Sequence, residues 1–219
     1  MNTKLLREQG WNVTYFDAAI ENAEIGIRKV TLTEENIAAS FRAAGVPTQV
    51  DYVSIDVDSI DVWLMRALLL GSYRPRVISI EFNINFPASM HVVHERQWHA
   101  WSGRSVFGSS AGAINHVASA AGYRLVHLMP SGLDMFFVRK DLLAKHCHLN
   151  SIPSFGELAG PHLGRRHHGT CSATEDLPRL VDMHLELLGQ HKEAQLLAVA
   201  HVKKLNSLNP TNPMCHMPI

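Results

Sequence analysis

The 219-residue sequence has no excess charge of either sign: twenty Lys and Arg balance twenty Asp and Glu, so its overall electrostatics favour neither a nucleic acid nor an anionic membrane as partner. It has only three cysteines, Cys147, Cys171 and Cys215, all in the last third. An odd, clustered set is no disulfide framework and fits a reducing, intracellular compartment. Long hydrophobic runs are missing too. The longest, VWLMRALLL, is interrupted by Arg66 and ends at Gly71, far short of the roughly 20 residues a bilayer requires, so no membrane span is expected. MNTKLLREQG has no apolar core and carries Glu8, so it reads as neither a secretory signal nor an acid-poor transit peptide. No Gly-x-Ser-x-Gly elbow and no Gly-Lys-Ser/Thr phosphate loop is present, which leaves hydrolase and P-loop readings without an anchor.

What is present is an ordinary globular composition, 46% hydrophobic and 18% charged, with one anomaly, 14 histidines. Mild acidification would move this neutral chain strongly positive. From Leu5 to about residue 140, short β-rich runs alternate with amphipathic helical runs, the pattern of a mostly parallel sheet covered by helices. Strands are expected over 11–18, 51–58 and 74–83. Thr33 is read as capping a helix that carries Ile37, Phe41 and Ala44 and stops at Gly45. A second helix follows Asp58 and Ser59, with Ile60, Trp63, Leu64, Ala67 and Leu68 on its apolar side and Gly71 as its end. This spacing predicts a buried Trp63 and an unburied Asp61. Residues 84–107 lack clean periodicity and read as a long surface insertion of the kind that forms lids. Ser109 or Ser110 caps a helix through Ala121, and 123–129 with 133–140 form an antiparallel hairpin about Pro130, Ser131 and Gly132.

Beyond about residue 145 the register changes. Residues 146–174, rich in Gly, Pro, Ser and His, read as a linker, and 175–219 as a helical extension and tail. The extension carries Leu177, Leu180, Val181, Leu187 and Leu188 as one stripe, with Gly189 as a weak point. Cutting near Asn150 is expected to leave a folded sheet domain spanning 1–145. His146, Cys147, His148, His167, His168 and Cys171 offer zinc's preferred ligand types, but in no finger spacing. His184 and His191 share a helix face, which a solvated surface explains as well as a ligand pair does. Arg165 and Arg166 with the following histidines are too short a cluster to argue for RNA.

Ligands of open parallel sheets bind at the carboxyl ends of the strands, and here those ends carry Asp17, then Asp56 and Asp58, then Glu81 and Asn83. An acid in the position of Asp17 suits ribose hydroxyls, or is simply a solvated strand-end acid. The segments NTKLLREQGW, TEENIAASFRAAGVP, DYVSIDVDSIDVW, YRPRVISIEFN and GYRLVHLMPSGLDMFFVRKDL, in this order, resemble the FkbM-like branch of class I S-adenosylmethionine-dependent methyltransferases over roughly residues 2–143. The most specific parts are the SID-x-D-x-x-D-x-W turn and the R-P-R-V-x-x-I-E-x-N strand.

The resemblance implies a Rossmann-like seven-stranded sheet with a terminal hairpin, S-adenosylmethionine at the strand ends, and methyl transfer to a hydroxyl, amine or similar acceptor. Family members carry a central strand and a glycine-rich turn ahead of the segment that begins here at Met1, so cofactor binding is expected to be weak or lost. Asp17 is the candidate cofactor residue and Asp56 and Asp58 are the candidate catalytic residues. Asp56, Asp58, Glu81 and Asn83 are candidate ligands for Mg2+, although Asp58 and Asp61 also suit the positive end of the helix that follows. Gly108, Ser109 and Ser110 can offer N–H groups to an anion or act as ordinary caps. Two functions follow. One is a methyltransferase with an unknown acceptor; the other is a non-catalytic methyltransferase-like subunit that engages a protein partner through its C-terminal extension.

Overall fold

A computed structural model of the chain describes residues 3–129, 133–146, 152–160, 163 and 177–208. A short helix, Lys4–Glu8 (α1), leads to two three-residue strands, Tyr15–Asp17 (β1) and Ile27–Lys29 (β2), paired in parallel with Asp17 opposite Lys29. The turn between them is held by Asn22, whose side chain accepts from the N–H groups of Glu24 and Ile25, and by Gly26 at φ 76°. The Thr33 hydroxyl accepts from Asn36 N–H and opens the turn into Ile37–Ala43 (α2), which buries Ile37 and Phe41.

Tyr52–Ile55 (β3) alternates half-buried Tyr52 and Ser54 with buried Val53 and Ile55. In Asp61–Leu70 (α3), Val62, Trp63, Leu64, Met65 and Leu68 are 0–1% exposed, the pattern of a helix covered on all sides. Trp63 donates its indole N–H to the His94 carbonyl at 2.7 Å, so its one polar atom is satisfied in the core. Val77–Glu81 (β4) pairs in parallel with β3, Tyr52 opposite Val77 and Ile55 opposite Ile80.

Residues 84–107 depart from the expected surface insertion. Ile84, Phe86, Met90, Val106 and Phe107 are buried, and Val92–His94 (β5) is a strand of three buried residues; the exposed part is the tip about Trp98 and Trp101. Chain that enters the core in pieces of two or three residues leaves no period long enough to read. Ala111–Ala120 (α4) starts at Ser110, whose Oγ accepts from Ala113 N–H and donates to the Met90 carbonyl. A Cβ at Gly112 would collide with the carbonyl oxygens of Ala88 and Met90, so only glycine lets α4 lie against that backbone.

Tyr123–Leu128 (β6) and Asp134–Arg139 (β7) pair antiparallel, with an irregularity between Leu125 and His127, and β7 pairs antiparallel with β4. The sheet order is β3-β4-β7-β6: three strands point one way and β7 runs against them. The expected turn at Pro130, Ser131 and Gly132 lies outside the described residues. The fold is thus mixed α/β with most strands of its main sheet in one direction. Instead of seven strands in one sheet, the described residues form this four-stranded sheet and two separate pairs.

Lys140–His146 (α5) follows β7, and Phe155–Ala159 (α6) is opened by a capping box between Ser154 and Glu157. Ala159 and Leu163 are buried in the main core, and Arg124 donates to the Ile152 carbonyl at 2.9 Å, so this part of the expected linker is packed on the sheet. Cys147, His148, His167, His168, Cys171 and Cys215, with Arg165 and Arg166, lie outside the described residues.

Residues 177–208 do not form the expected single amphipathic run. Leu180–Asp182 (β8) is a strand antiparallel to β5, with Val92 opposite Asp182 and His94 opposite Leu180, and Met183–Leu187 (α7) and His191–Leu208 (α8) follow. Leu180 and Val181 enter two different hydrophobic clusters, as alternate strand residues do, whereas Leu188 is 73% exposed. Ala194, Ala198 and Val202, spaced one turn apart, are the fully buried side of α8. The C-terminal segment therefore completes the core around Phe86, Met90, Val92 and Val106. No helix of the described residues is long and apolar enough to cross a membrane.

Candidate functional site

Because β3 and β4 run parallel with Ile55 opposite Ile80, the next residue on each strand, Asp56 and Glu81, emerges at the same edge. Asp58 follows at φ 73°, a left-handed conformation uncommon outside glycine, which turns its side chain back towards the strand ends. One carboxylate oxygen from each of Asp56, Asp58 and Glu81 lies within 4.8 Å of the others. Asp134, the first residue of β7, stands opposite Glu81 in the antiparallel ladder.

Asp61 is a correction: it is 2% exposed, not unburied. Its Oδ1 accepts from Val57 N–H at 2.8 Å, so the carboxylate folds back under the strand-to-helix turn. The periodicity of α3 placed Asp61 in the first turn but could not show that residues near 100 would cover it. Trp98 donates its indole N–H to the Val57 carbonyl at 2.8 Å, His99 N–H donates to Ser59 Oγ at 2.9 Å, and the Trp101 backbone N–H bonds Asp58. The exposed tip of the 84–107 segment thus sits directly over the acids. Arg96 stacks on Trp63 at 4.3 Å and pairs with Glu34 and Glu186, which ties the tip to the approach to α2 and to α7.

Asn83 is not brought into the acid cluster as a ligand. Its side-chain N–H groups donate to the Ser105 and Phe107 carbonyls, both at 2.7 Å, and its oxygen accepts from Asn85 N–H at 2.8 Å, so the amide is occupied in holding the returning 105–107 backbone. A cavity of about 80 Å3 remains beneath the lid, lined by Asp58, Asp61, Glu81, Trp101, Arg104 and Ser109. The cap of α4 is Ser110; Ser109 Oγ is buried with no hydrogen-bond partner among the described residues.

Crowding of like charge in a desolvated place raises every one of these acids that responds. Burial pushes Glu81 up to about 8, and the charges of Asp61, Asp56, Asp58 and Asp134 add to it. Burial likewise lifts Asp61 to about 7, against the Val57 N–H bond that favours its charge. Asp58 is raised by burial and by Asp56, and Asp134 by burial and by Asp56. The group therefore holds protons at neutral pH and can accept one from, or return one to, a bound hydroxyl or amine.

Asp17 lies apart from the acid group. It lines a cleft of about 950 Å3 that it shares with Asp56, walled by Phe16, Leu32, Val53 and Ile55. The cleft separates β1–β2 from β3, which pairs only with β4 among the described residues. Asp17 Oδ1 accepts from the N–H groups of Ala19 and Ile20 at 2.7 and 2.8 Å. Sequence reasoning missed Asp61 and Asp134 as members of the acid group. The register of LDMFFVRK against VISIE could have placed Asp134; nothing in the sequence signalled the burial of Asp61. No protein-family model matches the chain, and no curated protein matches it at a significant level.

Proposed function

We propose that this chain is a methyltransferase-like protein whose acceptor site is the acid cluster of Asp56, Asp58 and Glu81 beneath the 95–104 tip, and whose cofactor cleft is the adjoining one lined by Asp17. The observation that carries this reading is that Asp56 belongs to both places: it lines the cleft and contributes to the carboxylate group. The cleft is large enough for a nucleoside-sized ligand, has apolar walls, and keeps one oxygen of Asp17 available for ribose hydroxyls. S-adenosylmethionine, when bound, supplies a methyl group on a sulfonium. Little is then required of the chain's own residues. Asp58 takes the proton, Glu81 in its protonated form donates a hydrogen bond that orients the nucleophile, and Trp98 and Trp101 keep water from it. Asp56, Asp58 and Glu81 are also the place for a Mg2+ ion, whose charge would relieve their repulsion.

A second reading, a non-catalytic subunit, is favoured by one observation: β1–β2 and β3 are not bridged by a strand among the described residues, so no intervening strand and turn closes the cleft around a cofactor and affinity is expected to be weak. The test is an amide NMR titration of the full chain with S-adenosylhomocysteine. Shifts at Phe16, Asp17 and Val53 in the range of about 1 mM, removed by Asp17→Asn, are expected. A cleft that stays silent at saturating ligand would leave the second reading in place.

A further inference from the structure

Three histidines meet at the seam between the C-terminal segment and the rest of the fold. His184 Nε2 and His91 Nδ1 are 3.0 Å apart. The ring centroids lie 4.6 Å apart for His91 and His184, 4.7 Å for His116 and His184, and 5.8 Å for His91 and His116. We propose that His91, His116 and His184 form a binding site for a divalent first-row transition metal, zinc being the probe of choice, with water completing the coordination.

The backbone builds this meeting. β5 and β8 pair with Val92 opposite Asp182, so His91 comes level with Met183, whose N–H donates to the His91 carbonyl at 2.9 Å, and His184, the next residue, brings its ring to that of His91. The carboxylate of Asp182 accepts from His184 N–H at 3.1 Å and fixes the first turn of α7. On the third side Gly112 lets α4 touch the 88–91 backbone, and a Cβ there would lie 3.3 Å from the His91 ring. His116 is one helical turn further on the same face of α4. Three separate elements thus converge on one point.

The dimensions fit imidazole ligation. Two nitrogens each about 2.0–2.1 Å from a tetrahedral zinc stand about 3.3 Å apart, and the ring centroids of such ligands stand about 5 Å apart. The observed nitrogen pair is slightly closer than that, and the three centroid distances fall on either side of about 5 Å. His116 must turn its ring to bring a nitrogen to the point that the other two share; it is exposed and has room to turn. In the metal-free state one of the two close nitrogens donates a hydrogen to the other. When both ligate, the donor ring carries its proton on its other nitrogen, so no proton need leave the protein. Burial and the neighbouring His184 and His116 hold His91 below the usual imidazole range, which keeps it in the neutral form that metals bind. Nitrogen-only ligation selects zinc, cobalt, nickel or copper over the magnesium that suits carboxylates, so this site is chemically distinct from the acid cluster and independent of the methyl-transfer reading.

The test is calorimetric titration of the metal-free full chain with zinc chloride, paralleled by the visible spectrum of the cobalt(II) form. One zinc per chain at micromolar affinity or better is expected, with cobalt d–d bands and no thiolate charge-transfer band. Affinity should fall at least about tenfold in each of His116→Ala and His184→Ala, and should persist in the Cys147→Ser, Cys171→Ser, Cys215→Ser variant. His116 is exposed, so its variant is expected to keep the parent's circular dichroism, and a melting temperature raised by zinc in the parent but not in that variant is the second readout. Binding that survives loss of all three histidines, binding that disappears with the cysteines, or no binding at about 100 µM zinc would each overturn the proposal.

Discussion

Asp17 and Glu81 stand at equivalent ends of their strands, but in opposite surroundings. Asp17 closes a strand with no buried residue, and two backbone N–H groups satisfy one of its oxygens. Glu81 closes a strand buried through its middle, with four carboxylates around it and no hydrogen bond to its side chain among the described residues. The first acid shapes a turn. The second holds repulsion that a ligand can relieve, which suits the acid cluster to proton chemistry in a way that Asp17 is not.

The largest expected effect comes from removing the C-terminal segment that completes the core around Phe86. Truncation at Asn150 deletes β8, α7 and α8, and should leave Phe86, Met90, Val92 and Val106 uncovered. The expected result is an aggregating or unfolded product, read by soluble yield and circular dichroism, instead of the folded sheet domain that the alternation of strand and helix patterns suggested. A fragment with a cooperative melt would show that the two halves are independent. Next in size, Trp63→Ala should cost about 3–5 kcal/mol in a denaturant melt, because a fully buried ring and its bond to the His94 carbonyl are lost together. Phe16→Ala, which loses a stacked contact with Phe41 at 5.3 Å on the thinner side, should cost less, about 1–2 kcal/mol.

The pH dependence sharpens the comparison further. Asp61 and Glu81 titrate higher folded than unfolded, where carboxyls sit near 4, so the native state binds more protons between those values. Their contribution is therefore most favourable at low pH and is lost as pH rises through about 7 to 8. Glu81→Gln should flatten that decline in melts between pH 5 and 8.5. His94 acts oppositely: burial first, then His99 and Arg179, depress it to about 3, so its contribution falls as pH drops below about 6.5. Comparing parent and Glu81→Gln isolates the acid contribution. Smallest of all, Asp17→Ala should cost about 1 kcal/mol in a denaturant melt through loss of the turn bonds.

Much of the centre was legible because its elements obey one period each. The apolar run of VISIE, the Trp63 stripe and the small-residue face of α4 each announce burial locally. What was not legible is everything decided by remote partners. Leu180 and Val181 sit in a helical-looking stretch and become a strand because β5 offers an edge. Asp61 is buried because Trp98 and His99 bond the turn before it. The strand-end acids Asp56, Asp58 and Glu81 came from sequence alone; their closeness needed the register of Ile55 with Ile80.

Asn83 has a consequence for how this protein can diversify. It grips the return of the lid through the carbonyl oxygens of Ser105 and Phe107, atoms that every residue type supplies. The anchorage is therefore indifferent to the side chains it holds, and the tip over the acids can vary without loosening its base. Random libraries at 97 and 100 should retain folding in most members, while Asn83→Leu should not. The Asn83 amide, with Asn85 on the same Ser105 carbonyl, thus separates the part of the molecule that must stay the same from the part that can change.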